Sequence, residues 1–264
     1  MNSRKNYDVA IVGGGIIGLS TAWQLARRSK LRIVLLEKGA GLGEGSTGAS
    51  SAVCRVRYSR DEMVRLADDG IEAYRQWQHF TGLASPRAQF HPDGVLWMVG
   101  EDRQWALHEH SRLSDLGIAT QLLDDAELTQ RFPAYSNCTL APDVVAGTPH
   151  DCGGGGRHLL ETDGGYMDPV NAIEDLREAC LAAGVDVRVS SAVKNVQLEG
   201  GRVCGLVLAS GETLSTPLLV NAAGPWCKQL YEAAGLQQRW NLLPTRIQVL
   251  YLDRPEQLTG DIPV

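Results

Sequence analysis

An α/β fold with a parallel central sheet is predicted from three features at the start of this 264-residue chain. Residues 7–12 (Tyr-Asp-Val-Ala-Ile-Val) form a short, mostly apolar run suited to a strand buried on both faces. A glycine turn at 13–18 follows, then a stretch from Ile16 to Ser29 with Leu19, Ala22, Trp23 and Ala26 at helical spacing. Leu31 to Leu36 reads as a second buried strand, closed by Glu37. A strand, a crossover helix and a second strand make a β-α-β unit, which sets the two strands parallel. The basic residues Arg27, Arg28 and Lys30 at the end of the helix suit the negative pole of its dipole.

Later elements follow from local signals. A loop rich in Gly, Ser and Thr spans Gly39 to Ser51, and Ser59-x-x-Glu62 has the capping-box pattern that opens a helix. That helix is expected to reach about Phe80, with Met63, Ala67, Ile71, Tyr74 and Trp77 as its buried stripe. Gly94 to Val99 reads as a strand, and helical patches follow at 101–116 and 124–131, the second opened by Asp124-x-x-Glu127. Pro133, Pro142 and Pro149 punctuate an irregular region that ends in the run Gly153 to Gly156. Asp168-Pro169 pairs an N-cap with a proline at the first helical position, and the helix is expected to stop at Gly184. Strands are expected at 185–189, 193–198 and 202–208, with Gly200-Gly201 turning the last two into a hairpin. Leu218 to Val220 is another buried strand, and residues 246–251 alternate as a strand of a mixed sheet does. There are no internal repeats. The final strand has no sequence partner after it, so the chain reads as incomplete for its fold, or as needing a second polypeptide.

Composition narrows the function classes. A net charge of −6 and a charged fraction of 21% show no basic stripe for nucleic acid or anionic lipid. No apolar stretch approaches the roughly 18 to 20 residues of a membrane span, and the N-terminus lacks a signal-peptide pattern, so a cytoplasmic location is the expectation. The six cysteines contain no C-x-x-C pair and read as free thiols. His150, Cys152 and His158 surround the four-glycine run; a surface loop accounts for them better than zinc, which needs four placed ligands, and no metal is expected.

The chemistry lies in Gly13-Gly14-Gly15-Ile16-Ile17-Gly18, a G-x-G-x-x-G motif between strand and helix. Gly13 permits the tight turn, Gly15 lets the backbone approach a pyrophosphate, and Gly18 lets the helix pack close to the strand. The diphosphate lies on free N–H groups at the helix N-terminus, where the dipole favours an anion. Glu37 ends the second strand 19 residues beyond Gly18, where a carboxylate accepts both ribose hydroxyls and repels a 2′-phosphate. This disfavours NADP and leaves FAD and NAD open.

Longer segments separate those two. Val12 to Ala22, Leu35-Leu-Glu37-Lys38 and Ser46-Thr-Gly-Ala-Ser-Ser51 together resemble the D-amino-acid oxidase superfamily, especially its sarcosine and glycine oxidase branch. Arg55 through Tyr58-Ser59 and Glu62, Asp163 through Asp168-Pro169, and Val220-Asn-Ala-Ala-Gly224-Pro-Trp226 match further segments in order. The resemblance implies FAD as cofactor. It implies a Rossmann-like FAD-binding domain with a parallel sheet and a β-meander over 1–85 and 155–230. It also implies an incomplete α+β substrate domain with a mixed sheet over 86–154 and 231–264. Gly13, Gly15 and Gly18 would hold the pyrophosphate, Glu37 the ribose, and Lys38, Thr47, Ser50 and Ser51 the phosphate and ribityl path. Val193 would meet the adenine through its backbone, and Ala223, Gly224 and Trp226 would lie near the dinucleotide. Arg55 would lie by the flavin ring as the catalytic cation; a surface ion pair with Asp61 or Glu62 is the alternative.

The implied activity is oxidation of the C–N bond of an amino acid or N-methyl amino acid, with hydride passing to flavin N5 and the imine then hydrolysing. A 2-hydroxy-acid dehydrogenase on the same fold is one alternative. A truncated FAD-binding fragment, inactive without a partner subunit or a C-terminal segment, is another.

Overall fold

A computed structural model of the chain describes residues 5–99, 104–135, 156–237, 241–245, 248, 253 and 262–264. Two compact units are formed, each from several stretches of chain: residues 1–51, 81–88 and 168–250 in the first, and 52–80, 89–167 and 251–264 in the second.

The first unit is built on a four-stranded parallel sheet in the order Asp186–Arg188, Ile33–Leu36, Val9–Val12, Leu219–Asn221. Helix Ile16–Arg28 connects the two central strands, and helix Pro169–Ala182 leads into the edge strand at 186. Ile33 to Leu36 are all buried, because helices or strands cover both faces of a parallel sheet. Asp168 accepts the Asn171 N–H at 2.7 Å and Pro169 fills the first turn, while Gly184 takes φ +83° beyond the last one, as the sequence requires.

A second sheet in this unit is a meander of Val193–Glu199, Arg202–Leu208 and Thr213–Ser215, with Lys5–Asn6 added in parallel. Gly200 and Gly201 turn its hairpin with φ of +58° and +77°, the left-handed pair that a tight two-residue turn demands. Val196, Leu206, Leu208 and Leu214 of the meander pack on Ala10, Val34 and Leu36 of the parallel sheet and bury one core.

The second unit carries two antiparallel sheets, Val53–Cys54 with Gly165–Met167 and Phe90–His91, and Val95–Trp97 with Arg157–Glu161 and Thr120–Asp124. Its core joins Val56, Val64, Ile71, Ala106, Leu113, Ile118 and Leu159. Helix Asp61–Arg75 reaches this core through Val64 and Ile71. Asp124 and Glu127 form the expected reciprocal capping box at 2.8 and 2.9 Å.

Three expectations need correction. Ser59 is not an N-cap: helix 61–75 begins after Arg60 with no side-chain cap, and Asp61 and Glu62 in its first turn meet the dipole instead. Its buried stripe contains Val64, not Met63, which is 43% exposed; both positions lie three or four residues before Ala67, so spacing alone does not choose between them. The helix also ends at Arg75, and a separate short one spans Trp77–Thr81. Of the helix expected over 101–116, Trp105–Asp115 is seen, and residues 101–103 lie outside the described residues. The strand expected over 246–251, and His150 and Cys152, lie outside the described residues. Among the described residues, no helix is long and apolar enough to cross a membrane.

Candidate dinucleotide site

Three parallel strands of the first unit end side by side at Val12, Leu36 and Asn221, the edge at which open α/β sheets bind ligands. The chain turns there at Gly13, whose φ of +114° an L side chain rarely adopts and whose N–H donates to Leu36 O at 2.9 Å. A Cβ on Gly13 would collide with the Ala222 carbonyl, and one on Gly18 with the Gly13 carbonyl. These two glycines therefore serve the close meeting of turn, helix and neighbouring strand.

Gly15 differs. A Cβ there would stand 3.1 Å from Thr47 Oγ1, on the side where the loop 39–51 faces the helix entry. Gly15 is also the N-cap of helix 16–28, which has no side-chain cap and no acidic residue in its first turn. The Ile16 N–H donates to Thr47 Oγ1 at 3.2 Å, and Gly43 N–H donates to Gly14 O at 2.9 Å, so the loop is tied to the turn. The loop closes on itself through Gly48 N–H to Gly43 O at 2.7 Å. A helix start with positive partial charge, flanked by a threonine hydroxyl and with no acidic residue in its first turn, suits a diphosphate.

Glu37 is held from both sides. Its Oε2 accepts the Gly14 N–H and its Oε1 the Gly39 N–H, each at 2.7 Å. Each oxygen keeps lone-pair capacity for a further donor, such as a ribose hydroxyl. The backbone at 37–39 is fixed in turn by Ser190 N–H to Gly39 O and Ser191 N–H to Glu37 O, both 2.7 Å. Ser190 adopts φ +49° to make this contact.

Lys38 and Trp226 meet directly, with Nζ 3.4 Å from the ring centroid. The ring also stands over Gly45, where a Cβ would come within 3.2 Å of it. Asn221 shapes the segment before Trp226: its Oδ1 accepts the Ala223 N–H at 3.3 Å and its Nδ2 donates to Cys227 O at 2.9 Å. Gly224 follows with φ +53°. Ser50 and Ser51 lie exposed on the loop, and Val193 pairs in register with Leu208 and packs its side chain against the core. One unit thus holds all twelve residues expected at the cofactor. Sequence reasoning missed Gly14, Gly43, Ser190, Ser191 and Asn221, whose part is played by backbone groups or short side chains; only Gly14 and Asn221 sat inside recognised motifs.

Arg55 lies in the second unit. Its guanidinium carbon stands 4.9 Å from the centroids of both the Tyr58 and Trp97 rings. The ion pairs considered for it are not formed: Asp61 pairs with Arg112 at 2.5 Å and Glu62 with Arg60 at 3.6 Å. Burial pushes the neighbouring Cys54 thiol up to about 11, so it is protonated at neutral pH. His158, fully buried, pairs through Nε2 with Asp125 at 2.9 Å.

The sheet edge, the glycine turn and the doubly held carboxylate define an α/β dinucleotide-binding protein. A family model, DAO: FAD dependent oxidoreductase, matches residues 8–264, and the chain belongs to that family, whose cofactor is FAD. It is 29% identical over 247 residues to the peroxisomal sarcosine oxidase of Homo sapiens, covering 93% of this chain and 57% of that protein. It is 25% identical to the sarcosine oxidase subunit beta of Rhodobacter capsulatus, covering 84% of this chain and 50% of the relative. Among solved structures it resembles the L-proline dehydrogenase of P. horikoshii, with TM-score 0.73, 20% identity, and 89% and 57% of the two chains covered. The chain thus spans about half the length of these relatives.

Proposed function

We propose that this chain holds the adenylate of FAD in an oxidoreductase that oxidises the C–N bond of an amino acid or N-methyl amino acid. The observation that carries the reading is the bond from Gly14 N–H to Glu37, which joins the phosphate turn to the ribose carboxylate in a single rigid arc. Gly13 and Gly18 shape that arc, Gly15 leaves room for the diphosphate, and Thr47, Ser50, Ser51 and Lys38 supply hydroxyls and charge beside it. Ala223, Gly224 and Trp226 flank the dinucleotide, and Val193 meets the adenine through its main chain. When bound, FAD supplies the hydride acceptor at N5. Arg55, resting on aromatic rings with its neighbouring carboxylates engaged elsewhere, is the cation offered to an anion of the flavin or substrate.

The amine reading draws support from relatives that include a sarcosine oxidase and a sarcosine oxidase subunit. A partner subunit or further chain is part of the proposal, because the chain spans about half of such proteins. Purified protein is expected to carry or take up FAD, read as flavin absorbance. Anaerobic addition of sarcosine, glycine or proline is expected to bleach it. Bleaching by 2-hydroxyglutarate alone would favour hydroxy-acid oxidation, and a chain that takes up no FAD would overturn the cofactor reading.

A further inference from the structure

We propose that Glu161 is a positioning residue for Arg55, holding both the backbone and the aromatic surface on which that guanidinium rests. The proposal builds on the reading of Arg55 as the cation that meets an anion. Glu161 is 1% exposed, in the middle of the second unit. Its Oε2 accepts the Val56 N–H at 2.5 Å and the Arg57 N–H at 3.1 Å. Its Oε1 accepts the indole N–H of Trp97 at 2.5 Å. One carboxylate therefore fixes the two residues after Arg55 with one oxygen and the ring beneath Arg55 with the other.

Sheet register explains how these groups meet. Val95 pairs with Glu161 and Trp97 with Leu159, so Trp97 and Glu161 are diagonal neighbours on one face. Leu159 and Val56 on either side are buried at 0% and 1%, which keeps water from competing for the carboxylate. Arg57 shares the same indole, its guanidinium carbon 5.2 Å from the Trp97 centroid, but it is also bound to Glu109 at 2.9 Å. Arg55 rests on the rings of Tyr58 and Trp97, so its direction follows where Glu161 places the segment and the indole.

A carboxylate suits this task and a carboxamide does not. Three N–H donors converge on two acceptor oxygens, and a glutamine would turn an NH2 donor toward one set of them. Glu161→Gln is thus expected to release either the 56–57 backbone or the indole, and Arg55 with it.

The test uses proton–nitrogen NMR of the isotope-labelled chain, following the Arg55 side chain, the Trp97 indole N–H and, as an internal control, the Arg188 side chain. Arg188 is anchored by Asp186 and Glu212 in the first unit and shares no partner with Glu161. In Glu161→Gln the Arg55 resonances are expected to lose most of their ring-current shift and the indole N–H its downfield position, while Arg188 stays put. Glu161→Asp keeps the charge and both acceptors but withdraws them by one methylene; it is expected to move Arg55 the same way by less, and it carries the test if the glutamine variant does not fold. Arg55 resonances at their wild-type positions in either folded variant, or Arg188 moving as far as Arg55, would overturn the proposal. Titrating the wild-type chain with acetate tests the underlying reading separately: an Arg55 signal indifferent to acetate sinks the anion role, whatever the variants show.

Discussion

Lys38 and Trp226 are joined by a cation–π contact, the ammonium 3.4 Å from the ring centre, between segments that follow two different parallel strands. The contact spans the mouth of the cradle formed by the glycine turn and its loop. Lys38 is exposed and the ring 39% exposed, so solvent weakens the attraction. Lys38→Met is expected to weaken FAD binding by about 0.5–1 kcal/mol, roughly two- to fivefold in Kd. Titration of flavin into the apo-protein, followed by tryptophan fluorescence, measures it; unchanged affinity would show that the pair is ornamental to the ligand.

Gly18 and Gly15 are expected to fail differently. Gly18→Ala drives a methyl into the Gly13 carbonyl and should destabilise the fold by about 1–3 kcal/mol, a drop of several degrees in Tm. Gly15→Ala meets only Thr47 Oγ1, at 3.1 Å, and should leave the apo-protein's Tm nearly unchanged while weakening FAD binding by an order of magnitude or so. Thermal melts with and without FAD separate the two; equal loss of apo stability in both would contradict the assignment.

Glu37→Gln should damage binding and fold together. The carboxylate accepts from Gly14 and Gly39 with different oxygens, and an amide can accept at only one. The unsatisfied N–H is expected to cost about 1–3 kcal/mol of stability. Binding of ADP, which reports the adenosine side alone, should fall by at least about tenfold, corresponding to one lost hydrogen bond to a charged group. Calorimetric titration with ADP checks this without any catalytic assay.

Acid sensitivity should originate partly at Glu109. Burial raises its pKa, but hydrogen bonds from Arg112 and Arg57 lower it further, and the net position is below the ordinary glutamate value of 4.5. A carboxylate with a depressed folded pKa stabilises the fold above its unfolded value and loses that contribution as pH falls through the folded one. Wild type should therefore exceed Glu109→Gln in stability by about 1–3 kcal/mol at pH 7, with the gap closing as pH drops below 4.5. Denaturant melts across that range decide it; a gap that persists into strong acid would assign the effect to packing.

The parts of this fold that were legible in sequence are those where one residue must do one job. Asp168-Pro169, Asp124 with Glu127, and Gly200-Gly201 announce a cap, a capping box and a hairpin because few other residues satisfy those backbones. The tight turn at Gly13, with φ +114°, was legible for the same reason. Ser59 misled because its pattern fits a cap one residue too early, and nothing in the local sequence registers that Asp61 is claimed by Arg112 from another helix. Glu161 gave no signal at all: its role is set by strand register, which places it diagonally from Trp97 and beneath a segment 105 residues earlier. The serine backbone contacts at 190 and 191 were equally silent, since any residue carries an N–H.

The central strand at 9–12 has a consequence for how the protein is made. On one side it pairs with 33–36, which leaves the ribosome soon after it; on the other it pairs with 219–221, synthesised some two hundred residues later. At translation speeds of about 5–20 residues per second, one flank of that strand stays unsatisfied for roughly 10–40 s. A nascent chain with an apolar strand edge open for so long is a natural client for ribosome-associated chaperones, and in a heterologous host, slower growth at low temperature should favour soluble yield.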